Sequence, residues 1–188
     1  GIYTHYYMFF TLAAQGLFIL IWERKILFKM IGLYALVAIL YLPWIPFLAS
    51  QATSVSESYW IGGIDKRTHY EALLRILGGE QQNVFRPILF WFSLTLIAIG
   101  LIQHIRQKSF EKPYILIWLW SVVPFVLATL PGLKFDGVGL PFRPIFFWRY
   151  LIPAAVPLSM VVVHAAQKLP GKLFKVTIAA VITLSLMI

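Results

Sequence analysis

The chain has 188 residues, 60% of them hydrophobic and 12% charged, and its mean hydropathy is +0.81. A water-soluble domain is nearer half apolar and a quarter charged, and a fold of this size could not hide so much apolar surface, so lipid is the expected solvent. The absence of cysteine excludes disulfides and thiolate metal sites, and the net charge of +9 reads as positive-inside bias and attraction to lipid headgroups, with no nucleic-acid partner expected.

In chain order, six apolar runs are expected to cross a membrane, at about 6–22, 30–49, 87–105, 113–131, 150–166 and 176–188. The fold class expected is therefore all-α: a polytopic transmembrane helical bundle, with residues 1–188 forming one multi-pass domain. Residue 1 is Gly, no signal peptide precedes the first run, and the last run is short of the roughly 20 residues of a spanning helix. The chain is thus expected to be a piece of a larger membrane protein.

Three connectors, "ERKILFK", "RQKSFEK" and the stretch 168–175, are short and carry nine basic and two acidic residues. They alternate with two longer ones, 50–86 and 132–149, which carry seven basic and five acidic residues. Short loops dense in Lys and Arg face the cytoplasm, which puts the long loops outside, on the extracytoplasmic face.

The first long loop contains "THYEALLRILGG". Thr68 with Glu71 has the spacing of a capping box, and Tyr70, Leu73, Leu74 and Leu77 form a helical stripe. Gly78-Gly79 marks the C-terminus, and Glu71 and Arg75 are one turn apart. An amphipathic helix is predicted, either lying on the membrane surface or packed on the protein's own core. Pro43/Pro46 and Pro153/Pro157 look alike, but the halves share too little else for an inverted repeat.

Polar groups able to carry chemistry cluster on the outer side. "YTHYYMFF" places His5, Tyr6 and Tyr7 at the start of the first run. "YLPWIPF" places Trp44 at the end of the second, "ESYWIGG" places Trp60 in the long loop, and "FFWRY" places Arg149 and Tyr150 at the start of the fifth. Tyr41, Trp44 and Trp148 fit interfacial anchors. Arg149 has two readings: snorkelling to headgroups, or donating paired hydrogen bonds to a phosphate. Asp65 and Asp136 read as solvated loop residues. His104 and His164 fall at cytoplasmic helix ends and are assigned no chemistry. No set of His and carboxylates has ligand spacing, so no metal site is expected.

The ordered pieces "YTHYYMFFTLAAQ", "LYLPWIPFL", "YWIGG" with "ALLRILGG", and "RYLIPAAVP" resemble the C-terminal part of the membrane core of bacterial GT-C glycosyltransferases. Within these the chain is most similar to the transferases related to protein mannosyltransferases and aminoarabinose transferases. The resemblance implies a multi-pass enzyme of the bacterial plasma membrane. It would take a sugar from a polyprenyl-phosphate carrier and transfer it to a lipid, glycan or protein acceptor on the extracytoplasmic face. His5, Tyr6, Trp60, Arg149 and Tyr150 would then bind substrate. The family's catalytic acid lies in an earlier outer loop, and no residue here matches its motif, so no catalytic residue is assigned. No cofactor is evident, and use of a divalent metal is left open. The competing expectation is a transporter or flippase for a lipid-linked glycan, which needs a polar path across the membrane; the runs offer few mid-depth ionisable groups.

Overall fold

The computed structural model of the protein describes residues 7–57, 64–65, 67–80, 82–107, 110–132, 134–135, 138–139 and 145–186. Among these residues eight α-helices follow one another: α1 (Met8–Trp22), α2 (Leu27–Tyr41), α3 (Ile45–Glu57), α4 (Thr68–Gly78), α5 (Phe85–Gln107), α6 (Lys112–Thr129), α7 (Ile152–Gln167) and α8 (Gly171–Leu186). A two-residue antiparallel ladder, β1 (Lys134–Phe135) with β2 (Val138–Gly139), lies in the second long loop. The protein is an all-α helical membrane bundle.

Among the described residues four helical segments are long and apolar enough to cross a bilayer: Arg24–Gln51, Phe85–Gln107, Lys112–Gly132 and Trp148–Gln167. Helix α1 is a shorter apolar helix of 15 residues. Helices this apolar satisfy every backbone group internally, which is the condition for lying in lipid. Proline shapes the joints. Pro43 sits in a 3₁₀ turn, Leu42–Trp44, between α2 and α3, and Pro113 and Pro153 fall in the first turns of α6 and α7. A missing N–H costs little in a first turn because no intrahelical acceptor awaits it.

The packed centre is α5, α6 and α7, with α1 laid against α6 and α4 against α5. Leu74 and Leu77 of α4, Phe90 and Ile97 of α5, and Leu158 and Val161 of α7 form one core cluster. A second joins Ala72, Ala128, Phe146 and Leu151 at the end where the long loops emerge. Small residues set the closest approach: a Cβ on Gly100 of α5 would lie 2.7 Å from the Ala165 Cβ of α7. Such contacts suit membrane bundles, where van der Waals packing replaces hydrophobic drive. On the α1 side, Trp120 Nε1 donates to Thr11 Oγ1 at 3.1 Å. The Arg24–Gln51 segment is different, with 6% of its apolar window buried against 44% for Trp148–Gln167. Its Phe28, Ile39 and Leu40 are exposed, an arrangement suited to lipid and untenable in water.

Helix α4 packs on the protein itself, which decides between the two placements left open by its sequence. Ala72, Leu74, Leu77 and Gly78 are buried against α5, α7 and the turn before α7. Its capping differs from expectation. Thr68 is the first helical residue, and Asp65 is the capping group: its Oδ1 accepts from the Arg67 and Thr68 amides at 2.8 and 2.7 Å. The Thr68 hydroxyl donates to the same oxygen and accepts from the Asp65 amide. Asp65 therefore does structural work in the loop instead of merely being solvated. At the other end Gly79 takes φ 91°, a value that favours glycine, and its amide bonds the Arg75 carbonyl.

Candidate functional site: an arginine cluster at the loop end

Three elements bring guanidinium groups to one end of the bundle. Helix α4 supplies Arg75, the first turn of α5 supplies Arg86, and a 3₁₀ turn, Trp148–Leu151, supplies Arg149. The turn is placed by burial of Leu151, which is 0% exposed, and by Phe146 packed among Ala72 and Ala128. Asn83 fixes the start of α5, accepting on Oδ1 from the Phe85 and Arg86 amides at 3.0 and 3.1 Å.

Trp148 is the common surface. The Arg75 guanidinium lies 5.0 Å from its ring centroid and that of Arg149 lies 5.3 Å away. Both are within cation–π range of an indole, the strongest of the aromatic partners. Arg149 Nη2 also donates to Glu80 Oε1 at 3.2 Å, with side-chain exposures of 61% and 57%. A pair so exposed contributes about 0–1 kcal/mol and is readily exchanged for another anion. Arg86 is the contrary case: its side chain is buried, its Nη2 reaches Glu71 Oε2 at 3.4 Å, and its Nε has no partner among the described residues. Glu71, expected to face Arg75, is drawn to Arg86 instead, and Arg75 turns to Trp148.

Tyr150 stacks on Tyr7 with ring centroids 4.6 Å apart, and the Tyr7 hydroxyl donates to the Ile145 carbonyl at 2.6 Å. These contacts tie the start of α1 to the arginine-bearing turn. Of the sequence-predicted site residues, Arg149 and Tyr150 stand side by side here. His5, Tyr6 and Trp60 lie outside the described residues. Sequence reasoning missed Arg75 and Arg86 as members of the site and treated Trp148 as an anchor alone. The signal for Arg86 was its position: a cation in the first turn of an apolar run opposes the helix dipole and calls for a compensating partner. Among the described residues no group of three or more His, Asp or Glu is arranged to hold a metal.

Fold and site together define a multi-pass α-helical membrane protein with an arginine-rich aromatic cluster at one end. No known protein family, no curated protein and no solved structure matches the chain.

Proposed function

We propose that the protein is a membrane glycosyltransferase. It moves a sugar from a polyprenyl-phosphate carrier to a lipid, glycan or protein acceptor on the extracytoplasmic face of a bacterial plasma membrane. One observation carries the reading: Arg149 and Arg75 share the Trp148 ring at the mouth of a membrane bundle, and the only anion on Arg149 among the described ion pairs is the exposed Glu80. The resemblance of the ordered sequence pieces to the GT-C transferases supports it independently.

The chemistry assigned to this chain is electrostatic. Transfer leaves negative charge on the departing carrier phosphate, and guanidiniums offer paired donors to its oxygens. Fixed cations at a low-dielectric mouth act more strongly than in water. Tyr150, whose ring is held by Tyr7, follows Arg149 in the same turn. His5, Tyr6 and Trp60 are assigned to sugar and phosphate contacts on the same face. The group that orients or deprotonates the acceptor hydroxyl is not assigned to any residue here.

The test uses the purified protein and a polyprenyl monophosphate as probe, with binding followed by tryptophan fluorescence. Arg149→Ala is expected to weaken binding about tenfold or more, the loss of one charge-assisted pair. Arg149→Lys is expected to recover only part of it, because an ammonium lacks the planar fork. Unchanged binding in Arg149→Ala, in protein that remains helical, would leave Arg149 as an interface anchor and sink the reading.

A further inference from the structure

The opposite end of the bundle carries a second arrangement of polar side chains. Helix α5 ends there at Gln107, α6 begins at Lys112 and α7 ends at Gln167. His104 and His164 meet Nε2 to Nε2 at 3.1 Å. At that distance one imidazole donates its N–H and the other accepts on its lone pair. The Tyr114 ring stacks on His104 at 3.9 Å and lies 5.2 Å from His164. Tyr114 is 5% exposed, and its hydroxyl has no hydrogen-bond partner among the described residues. The hydroxyl is sealed inside the packing, so the Tyr114 ring braces the histidine pair from within.

That wall is part of a pocket of about 190 Å³ lined by His104, Gln107, Glu111, Tyr114, His164 and Lys168. His164 and Ile117 also line a groove of about 590 Å³ that runs along α7 past Ser159, Met160 and Val163. A small pocket with polar groups thus adjoins an apolar groove on α7, with His164 and Ile117 on the border between them. Among the described residues the pocket is lined by one lysine and one carboxylate. Lys168 and Glu111 are both exposed, and neither takes part in an ion pair among the described residues. The neighbouring Lys112 is already engaged with Glu23 at 2.6 Å.

We propose that the pocket and groove together bind one phospholipid whose headgroup carries both a phosphate and a primary ammonium, as in phosphatidylethanolamine. Lys168 meets the phosphate and Glu111 meets the ammonium. An acyl chain lies in the groove. A headgroup with a net negative charge leaves Glu111 without a cation and beside an anion, which is unfavourable. A choline headgroup carries its charge on methyl groups and offers Glu111 no N–H. The inference stands apart from sugar transfer, since it concerns the other end of the bundle.

The test is lipid retention by the purified protein, read by native mass spectrometry after incubation with equimolar phosphatidylethanolamine, phosphatidylglycerol and phosphatidylcholine. One phosphatidylethanolamine is expected to be retained about tenfold over either competitor, the size of one charge-assisted bond. Glu111→Gln is expected to abolish that preference, and Lys168→Gln to lower retention of all three lipids. Ser159→Trp, which fills the groove, is expected to lower retention of phosphatidylethanolamine. All three positions are exposed, so helical content should match the wild type. Equal retention of the three lipids by the wild type, or retention unchanged in any of these variants, overturns the proposal and leaves only annular lipid.

Discussion

Arg86 Nη2 on α5 lies 3.4 Å from Glu71 Oε2 on α4, and the two side chains are 7% and 49% exposed. The carboxylate stays half-exposed to water while the guanidinium has given up nearly all of its own. One long hydrogen bond and an unpartnered Nε are poor compensation for that loss, and the first turn of a helix is an unfavourable place for a cation. Removing the carboxylate charge should therefore hurt more than removing the pair. Glu71→Gln is expected to destabilise the protein by about 1 kcal/mol, below the range for a fully buried pair because Glu71 is half-exposed. Arg86→Met, which fills the same space without a charge, should cost less or stabilise. Thermal unfolding in detergent ranks the two; a larger loss for Arg86→Met would show the ion pair to be net stabilising.

The crossing of α4 over α5 depends on the missing side chain of Gly78. A Cβ there would sit 2.5 Å from the Arg86 carbonyl oxygen and 3.2 Å from the Phe90 Cβ. Backbone cannot rotate away as a side chain can, so Gly78→Ala must shift the whole helix, at about 1–3 kcal/mol. Gly32 in α2 is the contrast, since an added Cβ there meets nothing within 4 Å. At that position alanine removes backbone freedom from the unfolded chain at no steric cost, so Gly32→Ala is expected to stabilise by about 0.5–1 kcal/mol. Unfolding midpoints moving in the same direction for both variants would refute this account.

The all-α membrane class was legible in the sequence because long apolar runs have one stable solution in lipid. The ends of α4 were legible too, since Thr68 and Gly78-Gly79 are local signals. The partners inside the site were not. Glu71 sees Arg75 one turn away in the sequence, yet it pairs with Arg86, which only the α4–α5 packing brings near. Arg75 reaches Trp148 for the same reason. Asp65 caps α4 through a bond to Thr68, a local pattern that competes in the sequence with the Thr68–Glu71 spacing and wins in the structure. His104 and His164 are 60 positions apart, and nothing short of the α5–α7 packing shows that their rings meet.

Asp65 gives the α4 terminus a defined pH response. The Thr68 hydroxyl, then the Arg67 and Thr68 amides, hold its carboxyl below the usual carboxylate value. A group whose pKa is lower folded than unfolded stabilises above its unfolded value and loses that contribution as pH falls through its folded one. The cap should thus be fully present at neutral pH and fail only below the ordinary aspartate range, near pH 4 and under. Hydrogen exchange at the Arg67 and Thr68 amides checks this. Asp65→Asn keeps an acceptor and should retain protection at neutral pH without the acid loss, whereas Asp65→Ala should lose protection at every pH. Acid loss persisting in Asp65→Asn would assign the response to another group.

Trp148 holds Arg75 and Arg149 at 5.0 and 5.3 Å from its ring, and this decides whether the two cations are organised or merely adjacent. Without the ring, two guanidiniums at a membrane mouth repel each other and sample solvent. With it, each gains about 0.5–1 kcal/mol from the electron-rich face. Trp148→Leu keeps apolar bulk and removes the face, so it should cost about 1–2 kcal/mol, the sum of two such contacts. A double-mutant cycle of Trp148→Leu with Arg75→Met should return a coupling of about 0.5–1 kcal/mol, because the residues touch directly. Zero coupling would mean that the indole only fills space against Leu151 and Phe146, and that Arg75 and Arg149 take their positions from the backbone alone.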